Sequence, residues 1–282
     1  MKRVYALEEL RAIIDEVRQQ GSRIAFVPTM GNLHAGHLAL VDTAHRHGDY
    51  IVASIYINPM QFAAHEDLST YPRTPEQDCD SLAERGTHLV FMPDDQTMYP
   101  HGIAQQTRID VPGLSDILCG AGRPGHFQGV ATVVNRLFNM VQPNVAIFGK
   151  KDYQQLLVIR RMAADLAMPV EIIGADTVRD KDGLALSSRN GYLNAEQRKT
   201  APALYQSLLN AKTEIEARSA KFEEIERKSL QYLADRGFVP EYFQICRQAD
   251  LEPAGPEDRA LVLVTAAKLG SARLIDNLEL LV

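Results

Sequence analysis

A short stretch near the N-terminus constrains the fold more than any other part of the chain. It joins an apolar run, a loop containing glycine and a series of apolar residues at helical spacing. Ile24 to Val27 is β-branched and aromatic, which is typical of a strand buried on both faces, and Leu38, Val41 and Ala44 recur every three residues. Gly31 allows a sharp turn between the two. The stretch therefore predicts a strand, a tight loop and a helix.

The two histidines at the start of this predicted helix form a candidate anion site. If the helix begins near Leu33 to Gly36, His34 and His37 are three residues apart, so both imidazoles project from one face of its first turn. The same turn offers unpaired backbone N–H groups and the positive end of the helix dipole. Phosphate is the ligand that such a site prefers.

Two other interpretations of the histidine pair stay open. The pair could be half of a metal site completed by His45 or His47, although the acid of the His-Glu-x-x-His zinc motif is lacking. Both rings could also be solvated surface side chains. Their position favours a ligand, because open α/β sheets bind ligands where a strand passes into a helix through a glycine loop.

Helical and strand patterns alternate along the first part of the chain. An amphipathic stripe from Leu7 to Val17, closed by Gly21, predicts the first helix. Apolar runs predict further strands at residues 50–57, 88–92, 145–148 and 170–173, and helices are predicted at 75–85 and 153–167. This alternation predicts an α/β fold, a Rossmann-like parallel sheet of at least five strands with helices on both faces.

The pattern changes after Gly174. A polar connector leads to Asn194, which is suited to cap a helix over residues 195–218. A charged helix at 222–235 follows, and then β-rich runs at 242–246, 261–267 and 273–278. We therefore expect a Rossmann-like domain over residues 1–175 and a smaller α+β domain over residues 176–282 that covers the active site.

Composition excludes several classes of protein. A net charge of −6 over 282 residues argues against a nucleic-acid surface. Cys79, Cys119 and Cys246 are too far apart to indicate a disulfide framework, which favours a reducing cytoplasmic setting. The N-terminus becomes acidic where a signal peptide would become apolar, and no uninterrupted apolar run is long enough to span a bilayer. We expect a soluble protein that is not exported and has no membrane partner.

One glycine motif is misleading. Residues 120–125 match the G-x-G-x-x-G dinucleotide pattern by letter. The preceding residues 114–119 suggest a short helix rather than a strand, Pro124 interrupts the motif, and no acidic residue follows before Asp152. We therefore reject a dinucleotide site here, and expect an irregular loop that enters a helix ending near Val141.

A second junction between strand and helix follows Phe148. Gly149 permits close backbone approach, Lys151 offers an ammonium group to a phosphate, and Asp152 could accept from ribose hydroxyls or cap the helix. A solvated pair of lysines, Lys150 and Lys151, is the alternative. The carboxyl ends of parallel strands meet at one edge of the sheet, so both junctions are predicted to face the same cleft.

Ser187, Ser188 and Arg189 are suited to the outer phosphates of a nucleotide. They place two hydroxyls and a guanidinium on one loop preceded by glycine. The same three residue types are common in loops without a ligand, so the sequence alone leaves this assignment open.

Taken together, these motifs resemble a known family. Residues 34–37 resemble the His-x-Gly-His signature of the nucleotidyltransferase superfamily, which includes class I aminoacyl-tRNA synthetases, and residues 28–31 narrow it to the pantoate–β-alanine ligase family. Ser187 to Arg189 stand where the synthetases carry a Lys-Met-Ser-Lys-Ser phosphate loop. Further matching stretches are residues 58–62, 71–75, 123–134, 149–155, 186–190 and 274–277.

The resemblance implies a reaction and a set of ligands. It implies ATP-dependent condensation of pantoate with β-alanine through a pantoyl-adenylate, with release of AMP and pyrophosphate, as a step of pantothenate and coenzyme A biosynthesis. Mg²⁺ should accompany ATP and be held mainly by its phosphates, with Asp78 considered for an outer contact. The resemblance also implies a homodimer.

It further implies roles for individual residues. His34, His37 and Lys151 are expected to be catalytic, with His37 as proton donor. Gln61 and Gln155 are expected to hold pantoate, and Gln61 also faces β-alanine. The roles of Arg123 and His126 stay open. The residues expected to bind ATP are Met30, Gly31, Asn32, Leu33, His34, Ala35, Gly36, His37, Gly149, Lys150, Lys151, Asp152, Val178, Leu186, Ser187, Ser188 and Arg189.

Two rival functions remain at this level. A cytidylyl- or adenylyltransferase of the same fold would keep the histidine pair and release a stable nucleotide-linked product. A nucleotide-sensing module without catalytic activity would use the same phosphate contacts. The polar segment from Ala63 to Thr74 is expected to be a mobile surface loop, and its place after a strand end suits a lid.

Overall fold

The computed structural model describes residues 1–63, 66 and 68–282. The chain forms two compact units. The first unit comprises Met1–Lys150 and Gln155–Asp176, and the second comprises Lys151–Gln154 and Thr177–Val282.

The first unit is built on a six-stranded parallel sheet. Its strands are β1 (Lys2–Val4), β2 (Ile24–Thr29), β3 (Tyr50–Ile55), β4 (Leu89–Phe91), β5 (Val145–Gly149) and β6 (Glu171–Ala175). They lie in the order β1-β4-β3-β2-β5-β6, and each paired register is parallel. The predicted parallel α/β sheet is confirmed. The edge strand β1 was missed, because three residues are too short to show a period.

Helices cover both faces of this sheet, as predicted. The helices that connect its strands are α1 (Leu7–Gln19), α2 (Ala35–Ala44), α3 (Pro75–Glu84), α4 (Asp95–Met98), α5 (Cys119–Gly122), α6 (His126–Val141) and α7 (Tyr153–Asp165). Val27 of β2 belongs to one buried cluster with Val41 of α2 and Leu82 of α3. Its neighbour Phe26 instead meets Phe138 of α6, with ring centroids 6.4 Å apart. Because successive strand residues point to opposite faces, α2 and α3 lie on one face and α6 on the other.

The second unit contains a three-stranded antiparallel sheet and the remaining helices. These elements are α8 (Ala195–Thr200), α9 (Ala203–Glu216), α10 (Phe222–Ala234), β7 (Val239–Arg247), β8 (Ala260–Leu269) and β9 (Ala272–Leu281). The strands are ordered β7-β8-β9, which confirms a small α+β domain. The single helix predicted over residues 195–218 was wrong, because Pro202 separates α8 from α9. Proline lacks an N–H donor and its ring clashes with the preceding helical turn.

The misleading glycine motif is explained by packing. Residues 112–116 form turns and the short helix α5 starts only at Cys119, so the helix expected over 114–119 is displaced towards the glycines. A Cβ on Gly120 would collide with the backbone carbonyl of Ser115. This glycine is therefore required for close backbone contact, independently of any ligand.

Within residues 1–63, 66 and 68–282, none of the helices combines the length and the apolar character needed to cross a bilayer.

Candidate active site

The histidine pair forms the N-terminal cap of α2. His34 is the N-cap residue, and its Nδ1 accepts a hydrogen bond from the Gly36 backbone N–H at 3.1 Å. The Nδ1 of His37 accepts from the His34 backbone N–H at 3.3 Å, and the ring centroids are 4.1 Å apart. Since each Nδ1 acts as an acceptor, each neutral ring carries its proton on Nε2. The cap thus fixes two imidazoles as Nε2–H donors at the positive end of a helix.

The metal interpretation that used His45 does not fit this geometry. His45 is the C-cap of α2, at the opposite end of the helix from His34, and its Nε2 lies 2.8 Å from the Arg85 carbonyl oxygen. Among the residues that the structure describes, no group of three or more His, Cys, Asp or Glu side chains is placed to hold a metal ion.

A buried aspartate holds the loop that leads into the histidines. Asp78 of α3 is only 2% exposed, and its Oδ2 accepts from the Asn32 backbone N–H at 2.9 Å. Its Oδ1 accepts from the Leu33 backbone N–H at 2.8 Å and from the Thr74 hydroxyl at 3.1 Å. A Cβ on Gly31 would lie 2.9 Å from Oδ2, so glycine is needed at that position. Both oxygens that were considered for an outer contact with Mg²⁺ are therefore engaged by protein donors.

Gln61 is held in a network at the end of β3. Its side-chain Oε1 accepts from Asn58 Nδ2 at 3.2 Å, and its Nε2 lies 2.9 Å from Met30 Sδ. Tyr99 donates its hydroxyl to Asn58 Oδ1 at 2.6 Å. Burial raises the pKa of Tyr99, which keeps this donor protonated. The network fixes the orientation of the Gln61 amide and places it beside a residue expected to bind ATP.

Asn58 and Tyr99 were not identified as site residues from the sequence. Asn58 Nδ2 also donates to the Gly129 carbonyl oxygen at 3.0 Å, which joins the end of β3 to the first turns of α6. A Cβ on Gly129 would collide with the Met60 carbonyl, so the two backbones are in direct contact. The only sequence signal was that residues 58–62 and 123–134 both matched the family.

Arg123 and His126 bind the backbone of Gln61. His126 donates from Nδ1 to the Gln61 carbonyl oxygen at 2.8 Å, and its Nε2 accepts from Arg123 Nη1 at 2.9 Å. Arg123 also donates from Nε and Nη2 to Glu66, at 2.6 and 2.7 Å. Burial opposes ionisation of Glu66, but the hydrogen bonds and charge of Arg123 outweigh it and lower the pKa of this carboxyl.

A cleft of about 200 Å³ lies beside this turn. Met60, Gln61, Arg108 and Arg123 are among the residues that line it. The expected lid between Ala63 and Thr74 includes residues 64, 65 and 67, which lie outside the described residues, so lid closure stays a prediction.

The two lysines of the second junction between strand and helix belong to different units. Lys150 follows β5 and pairs with Asp176 at 2.9 Å within the first unit. Lys151 groups with the second unit, where its Nζ lies 3.6 Å from Asp152 Oδ1 and its side chain is mostly buried. Gln155 follows on α7 and is half-buried.

The serine–arginine loop of the second unit emerges from a short hairpin. The Leu186 backbone N–H donates to the Val178 carbonyl at 3.0 Å, and Arg179 forms an antiparallel bridge with Ala185. Ser187 then caps a 3₁₀ turn by accepting from the Arg189 N–H at 3.3 Å. The loop is therefore built on a defined backbone, which a phosphate-binding role requires.

Comparison with known proteins gives one consistent result. The sequence model of a family described as pantoate-beta-alanine ligase matches residues 2–279. Curated relatives include the pantothenate synthetase of Ectopseudomonas mendocina, which is 55% identical over 278 residues, covering 99% of this chain and 98% of the relative. That of Azotobacter vinelandii is 55% identical over 273 residues, covering 97% and 96%.

Solved structures agree with the sequence relatives. The pantothenate synthetase of Thermus thermophilus superposes with a TM-score of 0.91 at 47% identity, covering 99% of both chains. The pantoate-beta-alanine ligase of Francisella tularensis, in complex with beta-gamma ATP and beta-alanine, superposes with a TM-score of 0.82 at 32% identity. It covers 99% of this chain and 97% of that one.

Proposed function

The chain belongs to the pantoate–β-alanine ligase family, and we propose that it uses ATP to join pantoate to β-alanine through a pantoyl-adenylate, releasing AMP and pyrophosphate. The match over residues 2–279 carries this proposal, because it brings the whole chain into the family and not a nucleotide-binding motif alone. The Francisella tularensis relative, with its bound beta-gamma ATP and beta-alanine, supports two of the three small-molecule substrates. The resulting step belongs to pantothenate and coenzyme A biosynthesis.

The first step is attack of the pantoate carboxylate on the α-phosphorus of ATP. A new carboxylate–phosphorus bond forms, and the bond from that phosphorus to the bridging oxygen of pyrophosphate breaks. Negative charge builds up on the phosphate oxygens and on the leaving group, so the protein mainly has to position the reactants and supply hydrogen-bond donors. In the second step, the β-alanine amine attacks the acyl carbon and forms a carbon–nitrogen bond. The bond from that carbon to the adenylate oxygen breaks, AMP leaves, and the nitrogen releases a proton to solvent.

The proposed catalytic donors match this charge distribution. His34 and His37 supply Nε2–H groups at the N-terminus of α2, and Lys151 supplies an ammonium group. His37 acts as the proton donor. Preorganised donors of this kind are each worth roughly 3–4 kcal/mol in the transition state.

ATP binding is assigned to backbone and side-chain groups at three segments. The first is the loop and helix start after β2, the second follows β5, and the third is the hairpin with its serine–arginine loop. The assigned residues are Met30, Gly31, Asn32, Leu33, His34, Ala35, Gly36, His37, Gly149, Lys150, Lys151, Asp152, Val178, Leu186, Ser187, Ser188 and Arg189.

Pantoate is assigned to Gln61 and Gln155. A neutral amide donates and accepts, so it can address both the hydroxyl and the carboxylate of pantoate without adding charge. The fixed orientation of the Gln61 amide supports its role, and the same residue is proposed to face β-alanine.

Mg²⁺ is proposed to enter with ATP. The phosphates of ATP would hold the ion, and the charge of the ion would offset that of the leaving pyrophosphate. No step depends on a protein ligand to the ion.

We also propose the setting in which the enzyme works. The Rossmann-like domain of residues 1–175 binds nucleotide and pantoate, and the domain of residues 176–282 adds the serine–arginine loop. A cytoplasmic location fits the three cysteines, which lie too far apart in the sequence to indicate a disulfide framework, and a homodimer is expected. Light scattering on the purified protein tests the dimer.

The decisive experiment separates the two steps. Mixed with ATP, Mg²⁺ and pantoate but without β-alanine, the enzyme should release close to one pyrophosphate per active site in a single turnover. Oxygen-18 placed in the pantoate carboxylate should then appear in AMP once β-alanine is added.

Reactions lacking pantoate serve as the control for release that does not depend on this substrate. A nucleotide-sensing module would release no pyrophosphate under any condition. Release that needs no pantoate and leaves a stable nucleotide-linked product would indicate a nucleotidyltransferase of another specificity. Absence of the label from AMP would exclude the acyl-adenylate.

A further inference from the structure

The last strand carries two buried polar residues that no role has yet explained. Asp276 and Asn277 belong to the stretch 274–277, which matched the family by sequence, and they are only 4% and 6% exposed on β9. β9 is an edge strand of the second unit's sheet. Burying two such side chains is costly unless their polar atoms are engaged, so their partners show what they do.

Asn277 binds the backbone of Lys151. Its Nδ2 donates to the Lys151 carbonyl oxygen at 2.8 Å, although the two residues are 126 positions apart. A second contact anchors the same segment, since the Tyr153 hydroxyl lies 3.2 Å from the Gln248 carbonyl oxygen and 3.3 Å from Glu279 Oε1. These contacts thus attach the segment Lys151–Gln154 to the rest of the second unit, to which it belongs.

Asp276 binds the hairpin that leads to the serine–arginine loop. Its two oxygens accept from Arg179 Nη1 and Nη2 at 2.6 and 2.8 Å. Arg179 also donates to the Gly183 carbonyl at 3.1 Å and stacks 3.5 Å above the Tyr205 ring. A bidentate pair of this kind fixes the guanidinium in both distance and plane.

The two residues are also linked to each other. Asp276 Oδ1 accepts from the Asn277 backbone N–H at 2.8 Å, and Arg179 Nη2 donates to the Asn277 carbonyl oxygen at 3.4 Å. At Asn277, the backbone N–H and carbonyl oxygen of the edge strand β9 are therefore bound by side chains instead of by a further strand. Two neighbouring residues of β9 thereby hold both the backbone of Lys151 and the base of the loop that follows Leu186.

We propose that Asp276 and Asn277 are positioning residues for the adenylation step, with Asn277 setting the place of Lys151 through its carbonyl oxygen. This inference rests on the proposed function of Lys151 as a phosphate donor. A lysine side chain is long and flexible, so its ammonium group is placed accurately only if its backbone is fixed. A misplacement of about 1 Å at a reacting centre costs up to about 10²-fold in rate.

The test uses Asn277→Asp and Asn277→Ala in the full-length chain. The aspartate keeps the size of the side chain but turns an oxygen towards the Lys151 carbonyl, whereas the alanine removes the amide group without adding an opposing oxygen. Asn210→Asp, the same chemical change at an exposed site on α9, is the matched control. The rate of pyrophosphate release from ATP and pantoate is measured in a single turnover per folded molecule.

Asn277→Asp should slow that rate by roughly 10–100-fold, Asn277→Ala by less, and Asn210→Asp by under about twofold. The sharper measurement repeats Asn277→Asp in a Lys151→Ala background. A residue that acts through Lys151 causes no further loss there, whereas a residue with a general structural role causes the same loss again.

Equal losses in both backgrounds, or an Asn277→Asp enzyme within about twofold of the parent, would overturn the inference. If Asn277→Asp does not fold, Asn277→Ala in the two backgrounds decides the question by the same comparison. A parent enzyme that releases no pyrophosphate would instead refute the proposed function, so the two failures are distinguishable.

Discussion

Replacing Asp78 by asparagine should lower the activity much more than the stability of the fold, because Asp78 holds the loop that precedes the histidine pair. The carboxylate accepts from the backbone N–H groups of Asn32 and Leu33 and from the Thr74 hydroxyl. In asparagine one oxygen becomes an NH₂ group, which can only donate. At least one of the two backbone donors then faces another donor inside a buried site.

The expected cost follows from these contacts. A buried donor left without an acceptor costs about 1–3 kcal/mol, and the remaining bonds lose the strength that a charged acceptor gave them. For a chain of this size, each kcal/mol lowers the melting temperature by roughly 2–4 °C. Since domains are typically stable by about 5–15 kcal/mol, nearly all molecules remain folded at the assay temperature.

Activity should fall much further than the folded fraction. Asn32 has a φ of 50°, a left-handed conformation that costs a non-glycine residue energy and persists only while its surroundings hold it. If its N–H loses Asp78, the loop relaxes and moves the start of α2 relative to ATP. We expect pyrophosphate release to slow by about 10–100-fold per folded molecule, since a shift of about 1 Å at the reacting centre suffices for this.

The matched control is Asp80→Asn, two residues further along α3. The Asp80 side chain is 77% exposed and lies 3.9 Å from Arg3, so its loss should change neither the melting temperature nor the rate measurably. Calorimetry and single-turnover release are measured on both variants. The reasoning fails if Asp78→Asn melts several degrees lower yet keeps the parent's rate, because the loop would then hold its shape without the carboxylate.

Three further predictions concern the proposed site. His37→Ala and Lys151→Ala should each slow adenylation by orders of magnitude at an unchanged melting temperature, and a variant that melts far lower yet keeps its activity per folded molecule would show a structural role. Gln61→Ala and Gln155→Ala should raise the apparent KM for pantoate by a factor equivalent to about 1–3 kcal/mol per unpaired group, whereas a rise confined to the KM for ATP would move the residue to the nucleotide half. Glu66 stabilises the fold because its pKa is lowered in the folded state, so its contribution is present above the ordinary pKa of 4.5 and disappears as the pH falls through the folded-state pKa. The free energies of unfolding of the parent and of Glu66→Gln, measured by denaturant titration, should therefore become equal below that pH. A difference between them that persists at lower pH would exclude this cause.

The sequence predicted the local structure around the candidate site. The strand, glycine loop and histidine pair lie within fifteen residues, and their spacing together with their place at a strand end led to the hypothesis of an anion site. Asp78 could not be predicted as the residue that holds this loop, because it lies 46 residues from Asn32 and nothing in its own helix marks its partner. Asn58 and Tyr99 are joined in the same way, across 41 residues.

The same distinction applies to the fold. The α/β alternation was readable because buried parallel strands are continuous apolar runs. β1 was missed because its three residues show no period, and the helix over 195–218 was drawn too long because its apolar spacing outweighed Pro202. Only in the second place was a local rule, the proline break, present but weaker than the pattern around it.

The attachment of Lys151 to Asn277 affects how this enzyme can be recombined with its relatives. A chimera that joins two parents near residue 176 takes Lys151 from one parent and Asn277 from the other. The hydrogen bond between these two residues would then join segments that come from different proteins. Exchanging residues 151–154 together with residues 177–282 keeps the second unit intact. The unit that can be exchanged as a whole is therefore made of two separate pieces of the chain, and the smaller piece carries the lysine.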